Sequence, residues 1–117
     1  MESTQGVLTA AHFEAMRDGA IFINTGRGAQ IVEPDLIRVL GARPDFTAPL
    51  DVTSPEPPPG DSTLWVLPNV VISPHVGGTI GDEVVRVADC VIEEFEKWTD
   101  ECPLQYEVTA EVLATMG

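Results

Sequence analysis

The chain has 117 residues, of which 19 are acidic and 6 are basic, so its formal net charge is −13. This length allows one domain with a modest core, and so acidic a surface repels nucleic acid and anionic membranes, which excludes both as expected partners. The two cysteines and the lack of a recognisable signal peptide predict neither a secreted disulfide framework nor a metal site. No apolar run approaches the ~20 residues that span a bilayer. We therefore expect a cytoplasmic protein.

The first half of the chain predicts two helices with a strand between them. A helix is expected over residues 10–17. Residues 20–24 are apolar, β-branched and few, which is typical of a buried strand. Pro34 then stands in the first turn of a second helix, where its missing N–H would be unpaired in any case. Gly41 ends that helix.

The second half predicts two more strands and a long helix. Residues 46–52 form the second strand, in which Pro49 indicates an edge position or a bulge because proline cannot donate to a ladder. The third strand covers residues 70–72, and the long helix covers residues 80–98. Residues 99–117 are a tail without a predicted element. The helix carries one apolar stripe at helical spacing, formed by Val84, Val87, Ala88, Val91, Ile92 and Phe95.

The alternation of helices with short apolar strands predicts an α/β fold with a parallel sheet. In such a sheet the carboxyl ends of the strands open onto one crevice, where ligands bind. Arg27 follows the first strand between two glycines, Glu56 follows the second between two prolines, and His75 follows the third. We therefore expect these three side chains to converge.

The three side chains have complementary chemistry. A guanidinium such as that of Arg27 binds a carboxylate through two parallel hydrogen bonds. The imidazole of His75 suits proton transfer near neutrality, and the carboxylate of Glu56 can orient that ring. Asp51, which ends the second strand, can accept a hydrogen bond from a ligand amide. Each residue taken alone also fits an ordinary loop or turn position.

Together the three motifs resemble the signatures of the NAD-dependent D-isomer-specific 2-hydroxyacid dehydrogenases. The matching stretches are residues 22–28, 50–57 and 69–78, in the order and spacing of that family. The resemblance implies that Arg27 binds the substrate carboxylate and that His75 exchanges the hydroxyl proton, with Glu56 as its partner. The cofactor is then NAD or NADP, and the substrate is a small 2-hydroxy or 2-oxo acid.

The resemblance also implies which residues border the cofactor. Asp51 holds the nicotinamide carboxamide, and the other implied cofactor residues are Thr25, Gly26, Gly77 and Gly78. Members of the family are much longer and bind the dinucleotide pyrophosphate with a Gly-x-Gly-x-x-Gly turn. That motif does not occur in this sequence. We therefore expect residues 1–117 to form half of a Rossmann-like, doubly wound sheet, without a substrate domain, that binds its cofactor weakly.

Half of a sheet leaves an apolar edge strand unpaired, and the stripe of the long helix lacks a cover. This predicts a homodimer or a larger assembly. Three functions remain open: an oxidoreductase, a non-catalytic module that associates with itself, and a small hydrolase. The hydrolase would use His75 with Glu56 or Asp51 to activate water, or Ser73 as nucleophile. Ser73 lacks the G-x-S-x-G elbow, which disfavours that reading.

Overall fold

The computed structural model describes residues 4–115 and divides the chain between Gly78 and Thr79 into two compact units. The prediction of a single domain stays a prediction. The helices and strands, in chain order, are α1 (Ala10–Glu14), α2 (Glu33–Ala42), β1 (Ala48–Leu50), β2 (Val70–Ile72), α3 (Asp82–Thr99) and α4 (Ala110–Thr115), with short 3₁₀ turns at Gly28–Gln30 and Thr63–Trp65.

The first unit is built on a parallel sheet. Strands β1 and β2 pair in parallel, with Leu50 opposite Ile72. On the other side of β1, residues 20–24 run parallel to it through two isolated bridges, Ile21 to Thr47 and Asn24 to Leu50. The spatial order is therefore 20–24, β1, β2, and the carboxyl ends of all three segments lie at one edge. This confirms the predicted α/β fold with a parallel sheet.

Pro49 lies in the middle of this sheet. The expectation of an edge position or a bulge is wrong, because β1 has a neighbour on each side and its register with β2 is continuous. Thr47 and Asp51 donate to the carbonyls of Ala20 and Asn24 at 3.1 and 2.9 Å. Pro49 stands between them with no N–H to donate. This interruption explains why residues 20–24 form two bridges instead of a continuous strand.

The core lies between the sheet and the first two helices. Phe13 of α1 meets Phe22 edge-on at 5.2 Å between ring centroids. The buried amide of Asn69 donates to the carbonyls of Leu40, Arg43 and Phe46 at 3.0, 3.1 and 2.7 Å, which ties the end of α2 to the starts of both strands. The remaining core side chains are Ile31, Leu36, Val39, Leu40, Phe46, Ala48, Leu50 and Leu64.

The sequence predicts a buried strand over residues 20–24, but in the structure only one face of this segment is buried. Ile21 and Ile23 are 61% and 65% exposed, whereas Phe22 packs against the core and Asn24 is buried. Successive strand residues point to opposite faces of a sheet, and α1 and α2 pack on the face that Phe22 shares. The segment therefore has one buried and one exposed face.

The second unit consists of α3 and the chain that follows it. The helix spans residues 82–99 where 80–98 was predicted, and none of its residues is buried. The Glu94 carboxylate accepts hydrogen bonds from Lys97 at 2.6 Å and from the N–H groups of Gln105 and Tyr106 at 2.9 and 3.0 Å, which fold the tail back onto α3. The apolar stripe is more than half exposed at Val84, Val87, Val91, Ile92 and Phe95, and so is Trp98 near the end of the helix.

The tail predicted without an element contains α4 in addition to this turn. Within residues 4–115, no helix combines the length and the apolar composition that crossing a membrane requires.

Candidate active site

The loops after β1 and β2 bring Glu56 and His75 into contact. The ring Nδ1 of His75 lies 2.7 Å from Oε1 of Glu56, and both side chains are about half exposed. A carboxylate only accepts hydrogen bonds, so this contact assigns a proton to Nδ1. The other ring nitrogen, Nε2, is then left to take up or release a proton.

Hydrogen bonds to Asp51 hold the loop that contains His75 in place. Its Oδ1 accepts from the Ser73 hydroxyl at 2.5 Å and from the N–H of Val76 at 2.8 Å, and its Oδ2 accepts from the N–H of Gly77 at 2.7 Å. These bonds, that of Ser73 first, lower the pKa of Asp51 below its ordinary value. A carboxylate has about four lone-pair sites, so one acceptor position on Oδ2 remains.

His75 has an unusual backbone conformation. Its φ angle is 54°, in the left-handed region, which costs an L-residue about 1–2 kcal/mol. The three bonds to Asp51 come from residues on both sides of His75, namely Ser73 before it and Val76 and Gly77 after it. The surroundings therefore hold this residue in a conformation that it would not adopt by itself.

Two pockets share Asp51 and Ser73 as a common wall. The larger has a volume of about 410 Å³ and contains Glu56 and His75 in its lining, together with the apolar side chain of Trp65. The smaller has a volume of about 200 Å³. Its other lining residues are Ile23, Thr25, Pro49, Val76 and Gly77. Glu56 and His75 thus face the larger pocket, while three of the predicted cofactor residues, Thr25, Asp51 and Gly77, border the smaller one.

The glycines of the predicted cofactor site differ in their surroundings. A Cβ on Gly77 would lie 2.9 Å from Oδ2 of Asp51 and 3.3 Å from Thr25, so glycine is what lets these groups approach each other. A Cβ on Gly26 would lie 3.1 Å from the side-chain oxygen of Gln30. Gly78 has open space around it. Thr25, Asp51 and Gly77 are therefore the predicted residues that form one site.

Arg27 lies on a turn ordered by Asn24. The buried Asn24 side chain accepts from the N–H of Gly26 at 3.1 Å and donates to the carbonyl of Arg27 at 3.3 Å. The exposed guanidinium donates to the carbonyl of Gly26 at 2.8 Å, and the linings of the two pockets do not include it. The predicted contact of Arg27 with the substrate stays a prediction.

The sequence does not reveal the close neighbour of Gly28 or the part played by Ser73. A Cβ on Gly28 would lie 2.1 Å from the carbonyl group of Thr53. The backbone of the loop that leads to Glu56 fills that space. Ser73, considered as a nucleophile, donates to Asp51 instead. Neither contact has a local sequence signal, because each joins distant segments.

Comparison with known proteins gives the family. Residues 1–77 match the family model described as "D-isomer specific 2-hydroxyacid dehydrogenase, NAD binding domain". The chain belongs to the D-isomer specific 2-hydroxyacid dehydrogenase family. This confirms the resemblance inferred from the three motifs.

Two curated relatives of this chain are reductases. It is 41% identical over 92 residues to the glyoxylate/hydroxypyruvate reductase B of Citrobacter koseri, a match that covers 79% of this chain and 28% of the relative. It is also 41% identical over 75 residues to the human glyoxylate reductase/hydroxypyruvate reductase, covering 64% of this chain and 23% of that protein. The chain thus spans less than a third of the length of these relatives.

Solved structures of the family share the fold. The Xanthobacter autotrophicus Py2 D-isomer specific 2-hydroxyacid dehydrogenase, in complex with NADPH and MES, has a TM-score of 0.79 and 29% identity, covering 93% of this chain and 44% of that one. The Sinorhizobium meliloti NADPH-dependent glyoxylate/hydroxypyruvate reductase, in complex with NADP and sulfate, has a TM-score of 0.78 and 30% identity, covering 92% and 35%.

The expectation of a nicotinamide dinucleotide cofactor is confirmed for this family by the NAD binding domain model and by these two complexes. The smaller pocket of this chain fits part of such a group. Asp51 has one acceptor position left on Oδ2, which suits an amide N–H. Thr25 and Gly77 border that position closely.

Proposed function

We propose that this D-2-hydroxyacid dehydrogenase chain carries the acid–base site for hydride transfer between NAD or NADP and a small 2-oxo or 2-hydroxy acid. The observation that carries the proposal is the 2.7 Å contact between Nδ1 of His75 and Oε1 of Glu56, next to the carboxylate of Asp51. The names of the curated relatives favour glyoxylate and hydroxypyruvate as the first acids to test.

Each residue of the site has its own role in the proposed reaction. When bound, the nicotinamide supplies or accepts the hydride. In the reduction, Nε2 of His75 donates a proton to the oxygen of the 2-oxo group, and in the oxidation the same nitrogen takes it back. Glu56 orients the ring and balances its positive charge. Arg27 offers its free guanidinium donors to the substrate carboxylate.

Asp51 would accept a hydrogen bond from the nicotinamide carboxamide at the free position on Oδ2. Thr25 and Gly77 would line the same place, with Gly26 and Gly78 at its margin. We expect weak cofactor binding by this chain, because the Gly-x-Gly-x-x-Gly turn that holds a pyrophosphate is not in its sequence. Titration calorimetry with NADPH checks this expectation, and micromolar or tighter binding would contradict it.

The activity is tested with NADH or NADPH and either glyoxylate or hydroxypyruvate, followed at the nicotinamide absorbance. His75→Gln should abolish the reaction. His12→Gln is the matched control, because His12 is the other histidine and lies exposed on α1. Cofactor oxidation that survives His75→Gln would refute the proposal. Hydrolysis of esters or lactones that depends on His75, without cofactor oxidation, would favour the hydrolase instead.

A second role is supported by a different observation. The stripe of α3 and the face formed by Ile21 and Ile23 are exposed apolar surfaces, and contiguous surfaces of this kind mark sites of association. We infer that copies of this chain associate through such surfaces, as the predicted homodimer requires. Sedimentation equilibrium over a range of concentrations tests this role, and a monomer at every concentration would refute it.

A further inference from the structure

We propose that Asp51, acting with the Ser73 hydroxyl, is the positioning residue for His75. The consequence for catalysis rests on the function proposed above, but the positioning itself does not. Asp51 is 6% exposed as a residue, and its carboxylate makes its three hydrogen bonds to the loop that contains His75. It reaches that loop from the end of a different strand.

The hydrogen bonds of Asp51 lie on both sides of His75 in the sequence. Ser73 is tied to Asp51 on one side of His75, and Val76 and Gly77 are tied on the other. Between these fixed points His75 adopts the left-handed φ of 54°. Freed from Asp51, the loop would relax toward the right-handed or extended regions that L-residues prefer. The ring would then swing away from Glu56.

The same carboxylate forms part of the wall of both pockets. An amide donor that binds at the free position of Oδ2 would therefore bind to the group that sets the direction of the His75 ring. Hydrogen bonds to one carboxylate order both the smaller pocket and the loop beside the larger one. This arrangement would let one residue align the acid–base group with whatever occupies the smaller pocket.

The test compares four variants of the full chain. Asp51→Asn keeps the shape but replaces one acceptor oxygen with a donor, and Ser73→Ala removes the hydroxyl. Ser73→Thr restores the hydroxyl, and Asp61→Asn changes an exposed carboxylate elsewhere. In ¹⁵N-labelled protein, two quantities are measured without cofactor: the exchange rates of the Val76 and Gly77 amide protons, and the ring ¹⁵N signals of His75.

We expect exchange of both amides to be at least about tenfold faster in Asp51→Asn, with loss of the ring signal of an Nδ1–H bound to Glu56. Ser73→Ala should lose the same ring signal, while Ser73→Thr and Asp61→Asn should keep it. A folded Asp51→Asn variant with the wild-type ring signal would overturn the proposal. If that variant does not fold, an unchanged ring signal in Ser73→Ala overturns it equally.

These measurements separate the proposal from the function on which its catalytic part rests. Lack of cofactor oxidation by the wild-type chain would refute the function and leave the positioning result standing. In an active chain, Asp51→Asn and Ser73→Ala should both lower kcat at least about tenfold. For Ser73→Ala the KM for the oxo acid should stay near that of the wild type, and a change confined to KM would count against positioning.

Discussion

The ring nitrogen Nδ1 of His75 lies 2.7 Å from Oε1 of Glu56, although the two residues are 19 positions apart. The contact is a product of strand pairing, because Glu56 follows β1 and His75 follows β2. Those strands run parallel with Leu50 opposite Ile72. A slip of one residue would turn the side chains of one strand to the other face of the sheet and separate the pair.

Glu56→Gln should slow the reduction of the oxo acid at least about tenfold. Glutamine keeps the size of the side chain but lacks the charge that balances a protonated imidazole. Steady-state rates of cofactor oxidation measure the effect. Glu107→Gln, an exposed position in the second unit, is the matched control, and equal rates for the two variants would contradict the role assigned to Glu56.

The ionisation of Asp51 should make the free energy of unfolding depend on pH. Its pKa is lowered by folding from the ordinary 3.8. A carboxyl group of this kind stabilises the fold above its unfolded pKa, and the contribution disappears as the pH falls through the folded pKa. The free energy of unfolding of the wild type should therefore exceed that of Asp51→Asn by a constant amount down to about pH 4, and the gap should close below it.

Urea unfolding of both proteins from about pH 7 to about pH 3 measures this gap. The pKa values of Asp45 and Glu94 are lowered too, so the difference between the two proteins is the quantity to follow. Asp61→Asn is the matched control, because it removes an exposed carboxylate elsewhere in the first unit. A gap of the same size at every pH would mean that the stabilising group is not the ionised carboxylate.

Gly28→Ala should destabilise the first unit by at least about 2 kcal/mol. The added methyl group would meet the backbone of Thr53 at 2.1 Å, and backbone cannot rotate away as a side chain can. Gly41→Ala is the matched control, since it lies in α2 with open space around it. That change should stabilise by about 0.5–1 kcal/mol. The urea midpoints of the two variants measure the effect, and equal midpoints would contradict the close contact of Gly28 with Thr53.

Phe95→Lys should weaken self-association at least about tenfold, because it places a charge in the exposed stripe of α3. Glu93→Gln changes the net charge by the same +1 on the opposite, polar face of the helix. It should leave the association constant close to that of the wild type. Sedimentation equilibrium measures both constants, and a loss of association in both variants would point to charge and not to the stripe.

Much of the fold follows from local patterns in the sequence. Short apolar runs punctuated by glycine and proline marked the segments 20–24, 46–52 and 70–72, and helical spacing marked the long helix. These signals are local because they reflect backbone preferences and burial along one element. The motifs that follow the strands indicated Glu56 and His75 for the same reason, since parallel strands end at a common edge.

Contacts between distant segments do not follow from the sequence. The expectation of an edge position or a bulge at Pro49 is wrong, because the proline interrupts the ladder on one side only and leaves the pairing with β2 intact. The neighbour of Gly28 is the Thr53 backbone, 25 positions further along. The three hydrogen bonds of Asp51 to the His75 loop join positions 22 to 26 residues apart. Such partners are set by packing, which no single stretch of sequence encodes.

The stripe on α3 should make self-association of the protein depend on salt concentration. Each copy carries a net charge of −13, so two copies that approach through their apolar helices must overcome Coulomb repulsion. Dissolved salt screens that repulsion over about 8 Å at physiological ionic strength and leaves the apolar attraction in place. Dilute buffer should therefore favour separate chains, and added sodium chloride should drive them together.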